Sequence, residues 1–136
     1  MKRLDHIAIA VPNLEEALNF YQNSLGLPCI SIETVEEQGV RVAKLDTGNT
    51  HIELLEPLSA DSPVGKFIAT KGPGLHHICM GVDDIHAELA TMKSAQVKLI
   101  NEEPKIGAGG AEIAFVHPKS TGGVLLELST GEKDRH

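Results

Sequence analysis

Two related phrases in the chain point to an internal duplication, and this feature most constrains the fold. Residues 4–11 read LDHIAIAV and residues 75–82 read LHHICMGV, so the copies lie 71 positions apart. Each copy is followed at the same offset by a helix-start residue, Asn13 in the first and Asp84 in the second. Two copies of this length indicate paired modules, because a solenoid needs at least three repeats. The sequence therefore predicts a duplicated domain.

The residues after each repeated phrase predict the order of elements within a module. Residues 4–11 alternate and end at a proline, as a strand does. Asn13 and Glu16 form a capping box, and apolar residues at helical spacing continue to Gly26. Shorter β-like segments follow each helix, and we expect them at residues 40–45, 50–56, 111–116 and 124–129. The predicted fold class is α+β, with two tandem βαβββ modules.

The domain organisation follows from the same repeat. We expect one domain made of two modules and a connector, at residues 1–58, 73–136 and 59–72. Within the connector, Ser62 and Pro63 predict a short helix over residues 64–70. The second copy contains a longer loop around residues 105–110, rich in glycine. Its glycines either allow the close approach of a ligand or form a flexible linker.

Two histidines and two glutamates occupy matched places in the two copies. Strand alternation puts His6 on one face with Ala8, and His77 on one face with Cys79, so both faces are kept open by small side chains. A glutamate ends each copy within an apolar segment, where a carboxylate without a partner is costly to bury. Four nitrogen and oxygen ligands are what a divalent metal needs. The predicted metal ligands are His6, Glu53, His77 and Glu127.

The remaining histidines are interpreted from their neighbours in the sequence. His51 shares the strand face of Glu53, so it is either a ligand itself or a residue that supports Glu53, and it is left out of the four predicted ligands. His76 aligns with Asp5 in the first copy and is expected to face away from His77. The other histidines lie on a predicted helix, at a turn and at the terminus, and are predicted to be surface residues: His86, His117 and His136.

Composition excludes several classes of function. The formal net charge is −7 and there is no tryptophan, so neither a nucleic-acid surface nor a base-stacking platform is expected. No apolar run has the length of a transmembrane helix, and the first residues lack an apolar signal region. Cys29 and Cys79 have neither metal-binding nor redox spacing, which favours free thiols. We therefore expect a cytoplasmic protein without membrane or nucleic-acid partners.

The same residues resemble a known family. The duplicated plan with its four ligands resembles the vicinal oxygen chelate superfamily, which includes glyoxalases, bleomycin resistance proteins and dioxygenases. Across nearly its whole length the chain is similar to the methylmalonyl-CoA epimerase family within it. The matching phrases lie at residues 4–11, 37–40, 53–57, 61–63, 75–78, 102–107 and 115–119. The resemblance implies a vicinal oxygen chelate (glyoxalase-like) fold, a homodimer, an acyl-CoA thioester substrate and one divalent ion per chain. Imidazole and carboxylate ligands admit cobalt, nickel, manganese or zinc.

The resemblance also implies an activity and its catalytic residues. A family member is an isomerase that epimerises methylmalonyl-CoA at C2, by proton abstraction and return through a metal-stabilised enolate. Glu127 matches the family glutamate that acts as both ligand and acid/base. Some members carry glutamine at the position of Glu53 and place their second catalytic glutamate at the position of Val42, which cannot carry a proton. The second base is therefore Glu53 or Glu37, and the first of these is favoured because Glu37 lies in a charged run typical of a solvated loop.

Three alternatives use the same fold differently. Glyoxalase I (lactoylglutathione lyase) has the same four ligands but acts on a glutathione hemithioacetal. An iron dioxygenase typically uses two histidines and one carboxylate, so a fourth ligand counts against it. A non-catalytic binding or resistance protein would need neither the histidines nor the glutamates. For a coenzyme A tail, the candidate phosphate contacts are Arg41, Lys105 and Lys119.

Overall fold

The computed structural model describes residues 2–131 and confirms the predicted order of elements. A βαβββ series occurs twice in this part of the chain, with one helix between the two series. None of the helices within residues 2–131 has both the length and the apolar character needed to cross a membrane. The elements are β1 (Arg3–Ala10), α1 (Leu14–Leu18), β2 (Cys29–Val35), β3 (Val40–Asp46), β4 (His51–Pro57), α2 (Pro63–Lys71), β5 (Gly74–Gly81), α3 (Ile85–Ser94), β6 (Lys105–Ile106), β7 (Glu112–Val116) and β8 (Leu126–Ser129).

The predicted helix starts are confirmed by their side-chain caps. The side chain of Asn13 accepts a hydrogen bond from the Glu16 backbone N–H at 2.9 Å. Asp84 caps α3 in the same way through the Ala87 N–H, at 3.1 Å. Ser62 caps α2, which is one residue longer at each end than the predicted 64–70. Each cap satisfies one of the backbone donors that the first turn of a helix leaves without a partner.

Two local predictions were wrong. The first helix does not continue regularly to Gly26, because α1 ends at Leu18 and the chain continues as a π-helical segment over Asn19–Ser24. This wider turn packs Tyr21 against the core while Phe20 remains 53% exposed. Residues 105–110 were predicted as a loop, but the first two of them form the short strand β6, which pairs with β7.

The described chain divides into two compact units. One unit contains residues 6–76, and the other contains residues 2–5 and 77–131. In the first unit the strand order is β2-β3-β4-β1, with β1 and β4 parallel and the other neighbours antiparallel. In the second unit the order is β6-β7-β8-β5, with β5 and β8 parallel and the other neighbours antiparallel. The two copies of the repeat therefore build the same strand pattern.

Each unit has its own hydrophobic core between its helix and its strands. Leu14 and Leu18 of α1 pack on the first sheet, and Ile85 and Leu89 of α3 pack on the second, at the 71-residue offset of the repeat. Burying such side chains removes apolar surface from water and stabilises each unit. The buried clusters are Val11, Leu14, Leu18, Ala43, Leu45 and Leu54, and Val82, Ile85, Leu89, Ala114, Val116 and Leu128.

An arginine on β3 links the first helix to the sheet. The Nη2 of Arg41 lies 2.8 Å from a carboxylate oxygen of Glu15, and its Nε donates to Glu56 at 3.0 Å. The other oxygen of Glu56 accepts the backbone N–H of Leu14 at 2.8 Å. The hydrogen bond from Arg41 lowers the pKa of the Glu15 carboxyl below its ordinary value. Arg41, a candidate phosphate contact, is thus engaged in ion pairs within the protein.

Candidate metal centre

In the unit of residues 6–76, three titratable side chains meet on one face of the sheet. β1 and β4 pair in parallel, with His6 opposite His51 and Ala8 opposite Glu53. Residues two apart on a strand share a face, so both imidazoles and the carboxylate point the same way. One oxygen of Glu53 lies 3.3 Å from His6 Nε2, and the other lies 3.1 Å from His51 Nε2. All three residues are buried.

The other unit contains a matching histidine–glutamate pair. β5 and β8 pair in parallel with Cys79 opposite Glu127, which repeats the register of Ala8 and Glu53. His77 Nε2 lies 2.8 Å from Glu127 Oε1, and both residues are buried. The ring of Phe115 packs edge-on against His77, with ring centroids 5.5 Å apart. The structure therefore places each predicted glutamate beside the histidine of its own sequence copy.

The donor set of these pairs fits a divalent ion. Imidazole nitrogen and carboxylate oxygen are ligands that cobalt, nickel, manganese and zinc accept. In residues 6–76 the donor atoms of His6, His51 and Glu53 all lie within 4.8 Å of one another. With metal–ligand bonds of 2.0–2.2 Å, neighbouring ligand atoms around one ion are separated by roughly 3.0–3.6 Å. The observed 3.1 and 3.3 Å separations fall in that range.

Two residues outside the predicted site lie opposite the glutamates of these pairs. Lys44 is only 7% exposed and lies opposite Glu53 in the antiparallel pairing of β3 with β4, so both side chains share a face. Phe115 lies opposite Glu127 in the pairing of β7 with β8. Lys44 could have been found only by aligning its strand with β4. Phe115 begins the family-matching phrase 115–119, but only the pairing of β7 with β8 places it opposite Glu127.

The other candidate residues lie elsewhere. His76 packs against the ring of Phe67, with ring centroids 4.7 Å apart. His86 is exposed on α3, and His117 accepts the Lys119 backbone N–H through Nδ1. Glu37 is exposed in a single 3₁₀ turn, whereas Val42 is buried in β3. The exposed candidates for phosphate contacts are Lys105 and Lys119, and His136 lies outside the described residues.

Comparison with known proteins places the chain in a family. The model of the Glyoxalase/Bleomycin resistance protein/Dioxygenase superfamily matches residues 5–115. The human mitochondrial methylmalonyl-CoA epimerase is 47% identical over 127 residues, which cover 93% of this chain and 72% of that protein. A variant of the Streptomyces coelicolor methylmalonyl-CoA epimerase, solved with 2-nitronate-propionyl-CoA, superposes with a TM-score of 0.88 at 41% identity, covering 93% and 92% of the two chains. These matches confirm the predicted glyoxalase-like fold.

A glyoxalase relative is more distant. The probable lactoylglutathione lyase of Vibrio cholerae is 29% identical over 126 residues, which cover 93% of this chain and 88% of that protein. The difference of 18 percentage points (47 − 29) from the human epimerase favours the epimerase resemblance over the glyoxalase alternative. The chain therefore belongs to the methylmalonyl-CoA epimerase family of the glyoxalase/bleomycin resistance/dioxygenase superfamily.

Proposed function

We propose that this protein is an isomerase that epimerises methylmalonyl-CoA at C2. The observation that carries the proposal is the buried histidine–glutamate pair in each compact unit, at matched positions of the repeat. The names of the relatives at 41–47% identity support the substrate. A binding or resistance protein of the same fold would have no need for two such buried pairs.

The reaction moves one proton and leaves the oxidation state of the substrate unchanged. The C2 hydrogen lies between a thioester carbonyl and a carboxylate, so the electron pair of the broken C–H bond can delocalise onto the thioester oxygen. Epimerisation then needs a base on one face of the resulting enolate and an acid on the other. We assign one of these roles to Glu127 and the opposing role to Glu53. A positioned carboxylate typically accelerates such a transfer by about 10²–10⁴-fold.

We also propose that His6, Glu53, His77 and Glu127 hold one divalent ion, of cobalt, nickel, manganese or zinc. When bound, the ion supplies Lewis-acid stabilisation for negative charge that develops on the substrate oxygens. The protein contributes imidazole nitrogens and carboxylate oxygens from strands whose register sets the separation within each histidine–glutamate pair. Support comes from the donor chemistry and from the short separations within each pair.

The second base is Glu53 or Glu37. Burial favours Glu53, because its carboxylate contacts two imidazoles, whereas Glu37 projects from an exposed turn. We expect Glu53→Gln to retain bound metal and to lose epimerisation, and Glu37→Gln to retain both. If Glu53→Gln keeps its epimerase activity and Glu37→Gln loses it, Glu37 is the second base.

Proton exchange at C2 tests the proposed function directly. The protein without metal and the protein loaded with cobalt are each mixed with one epimer of methylmalonyl-CoA in deuterated water, and the C2 hydrogen is followed by NMR. We expect exchange that requires the metal and is accompanied by loss of stereochemical purity. If no exchange occurs with any of the four ions, the epimerase proposal is wrong, and the glutathione hemithioacetal becomes the next substrate to assay.

Assembly and location complete the proposal. We propose a homodimer, which is supported by exposed apolar side chains on the outer strand β2, Ile30 and Ile32. Light scattering coupled to size exclusion measures the mass directly, and a monomer at micromolar concentration contradicts this part. The free thiols of Cys29 and Cys79 support a reducing compartment, the cytoplasm.

A further inference from the structure

We propose that His51 is a positioning residue that holds one oxygen of Glu53 and thereby keeps the other oxygen directed toward His6. The inference rests on the proposed role of Glu53 as a metal ligand and adds a residue to that site. The four proposed ligands do not include His51.

The two imidazoles beside Glu53 contact different oxygens of its carboxylate. His51 Nε2 lies 3.1 Å from Oε2, and His6 Nε2 lies 3.3 Å from Oε1. The two rings are 5.1 Å apart and tilted by 32°, so they approach the carboxylate from separate directions. With a proton on Nε2, His51 donates to Oε2 and leaves Oε1 for the side on which His6 lies. This division of contacts is what a ligand and its supporting hydrogen bond require.

The backbone holds this arrangement in place. His51 and Glu53 are two residues apart on β4, so their side chains share a face without any adjustment of the strand. His6 is the register partner of His51 on β1. Because all three side chains are buried, the Glu53 carboxylate has few other orientations to adopt, and the hydrogen bond from His51 selects one of them. A glutamate held in one orientation loses less freedom when it binds an ion.

The second copy of the repeat has no histidine at the position equivalent to His51. The offset between the two glutamates is 74 residues, and 74 residues beyond His51 stands Leu125. Leu125 lies one residue before β8, and its side chain cannot donate a hydrogen bond, so the contact that His51 makes with Glu53 has no equivalent from this position. The two carboxylates are therefore not equivalent, although their parallel strand pairings match.

The test compares two replacements of similar size. His51→Leu introduces the residue of the second copy and cannot donate, whereas His51→Gln can donate from its amide nitrogen. His86→Ala, an exposed histidine on α3, is the matched control. Cobalt affinity is measured by competition with a chelator, and the visible spectrum of bound cobalt reports its ligands. We expect His51→Leu to weaken cobalt binding by about 10–100-fold, His51→Gln to recover most of the affinity, and His86→Ala to change nothing.

Several outcomes would overturn the inference. Equal cobalt affinity in His51→Leu and the wild type would show that the hydrogen bond has no positioning role. A cobalt spectrum or X-ray absorption signature that loses one imidazole in both His51 variants would show that His51 is itself a ligand. If His51→Leu does not fold by circular dichroism, His51→Ala replaces it. If the wild type binds no divalent ion, the metal part of the proposed function fails with this inference, and C2 proton exchange still tests the epimerase separately.

Discussion

Replacing Glu127 by glutamine should separate the chemistry of the site from its stability. Glu127 is 7% exposed and lies 2.8 Å from His77 Nε2, and glutamine has nearly the same size with an oxygen that can still accept from His77. A charged hydrogen bond contributes about 1.5–3 kcal/mol and a neutral one about 0.5–1.5, so the loss is about 1 kcal/mol. For a chain of this length, 1 kcal/mol corresponds to about 3–5 °C in Tm. We therefore expect Tm to fall by no more than about 5 °C.

The effect of the same change on catalysis should be much larger. An amide can neither accept nor return the C2 proton, so epimerisation, which needs both groups, should fall by about 10²–10⁴-fold. The assay follows the conversion of one methylmalonyl-CoA epimer into the other by NMR at a cobalt concentration that fills the site, with occupancy measured on the same sample. Glu103→Gln, an exposed glutamate of the same unit, is the control and should keep full activity. If Glu127→Gln keeps more than about a tenth of the wild-type epimerisation rate at full occupancy, Glu127 is not the acid/base.

Three further changes test other parts of the structure. Leu54→Ala, at a fully buried core position, should lower the free energy of unfolding by about 2–5 kcal/mol in urea titration. The control Leu58→Ala, at a position that is 44% exposed, should lower it by at most about 0.5 kcal/mol. Equal losses in the two variants would contradict the assignment of Leu54 to the core. Ala8→Leu should cost about 1–3 kcal/mol and weaken cobalt binding, since Ala8 lies opposite Glu53; unchanged affinity contradicts this. The lowered pKa of Glu15 means that its carboxylate stabilises the fold at pH values above the ordinary glutamate pKa. Glu15→Gln should therefore lower the urea midpoint at pH 7, and the difference from the wild type should shrink as the pH falls through the folded pKa of Glu15. A difference that does not change with pH would refute the ion pair.

The duplicated fold could be predicted because its signals are local and occur twice. Asn13 and Asp84 both cap helices at the predicted residues, and the strands end near the predicted prolines and turns. The π-helical segment after Leu18 could not be predicted in this way, because the apolar stripe that indicates a helix also continues through it. Only the backbone, in which Leu25 N–H donates to the Phe20 carbonyl at 2.7 Å, shows the wider turn.

The sequence could predict only those contacts of the candidate site that form between residues of the same strand. A period of two places Glu53 and His51 on one face of β4, and the observed contact between them follows from that spacing. Lys44 shares a face with Glu53, and Phe115 lies opposite Glu127, through pairing with a neighbouring strand within each unit; the register of that pairing is set by turns and core packing. Residues of this kind require the structure before they can be assigned.

The register also explains why small residues accompany the histidines. The residue opposite each glutamate on the neighbouring parallel strand follows the histidine by two positions, and it is Ala8 in one unit and Cys79 in the other. Both are fully buried, and a larger side chain at either place would fill the space through which the carboxylate reaches its histidine. If the histidine–glutamate pair served only to stabilise one sheet, the chain would need a small residue opposite the glutamate in one unit only. Under the proposed function, one glutamate would remove the C2 proton and the other would return one, and each copy of the repeat would supply one of these two carboxylates.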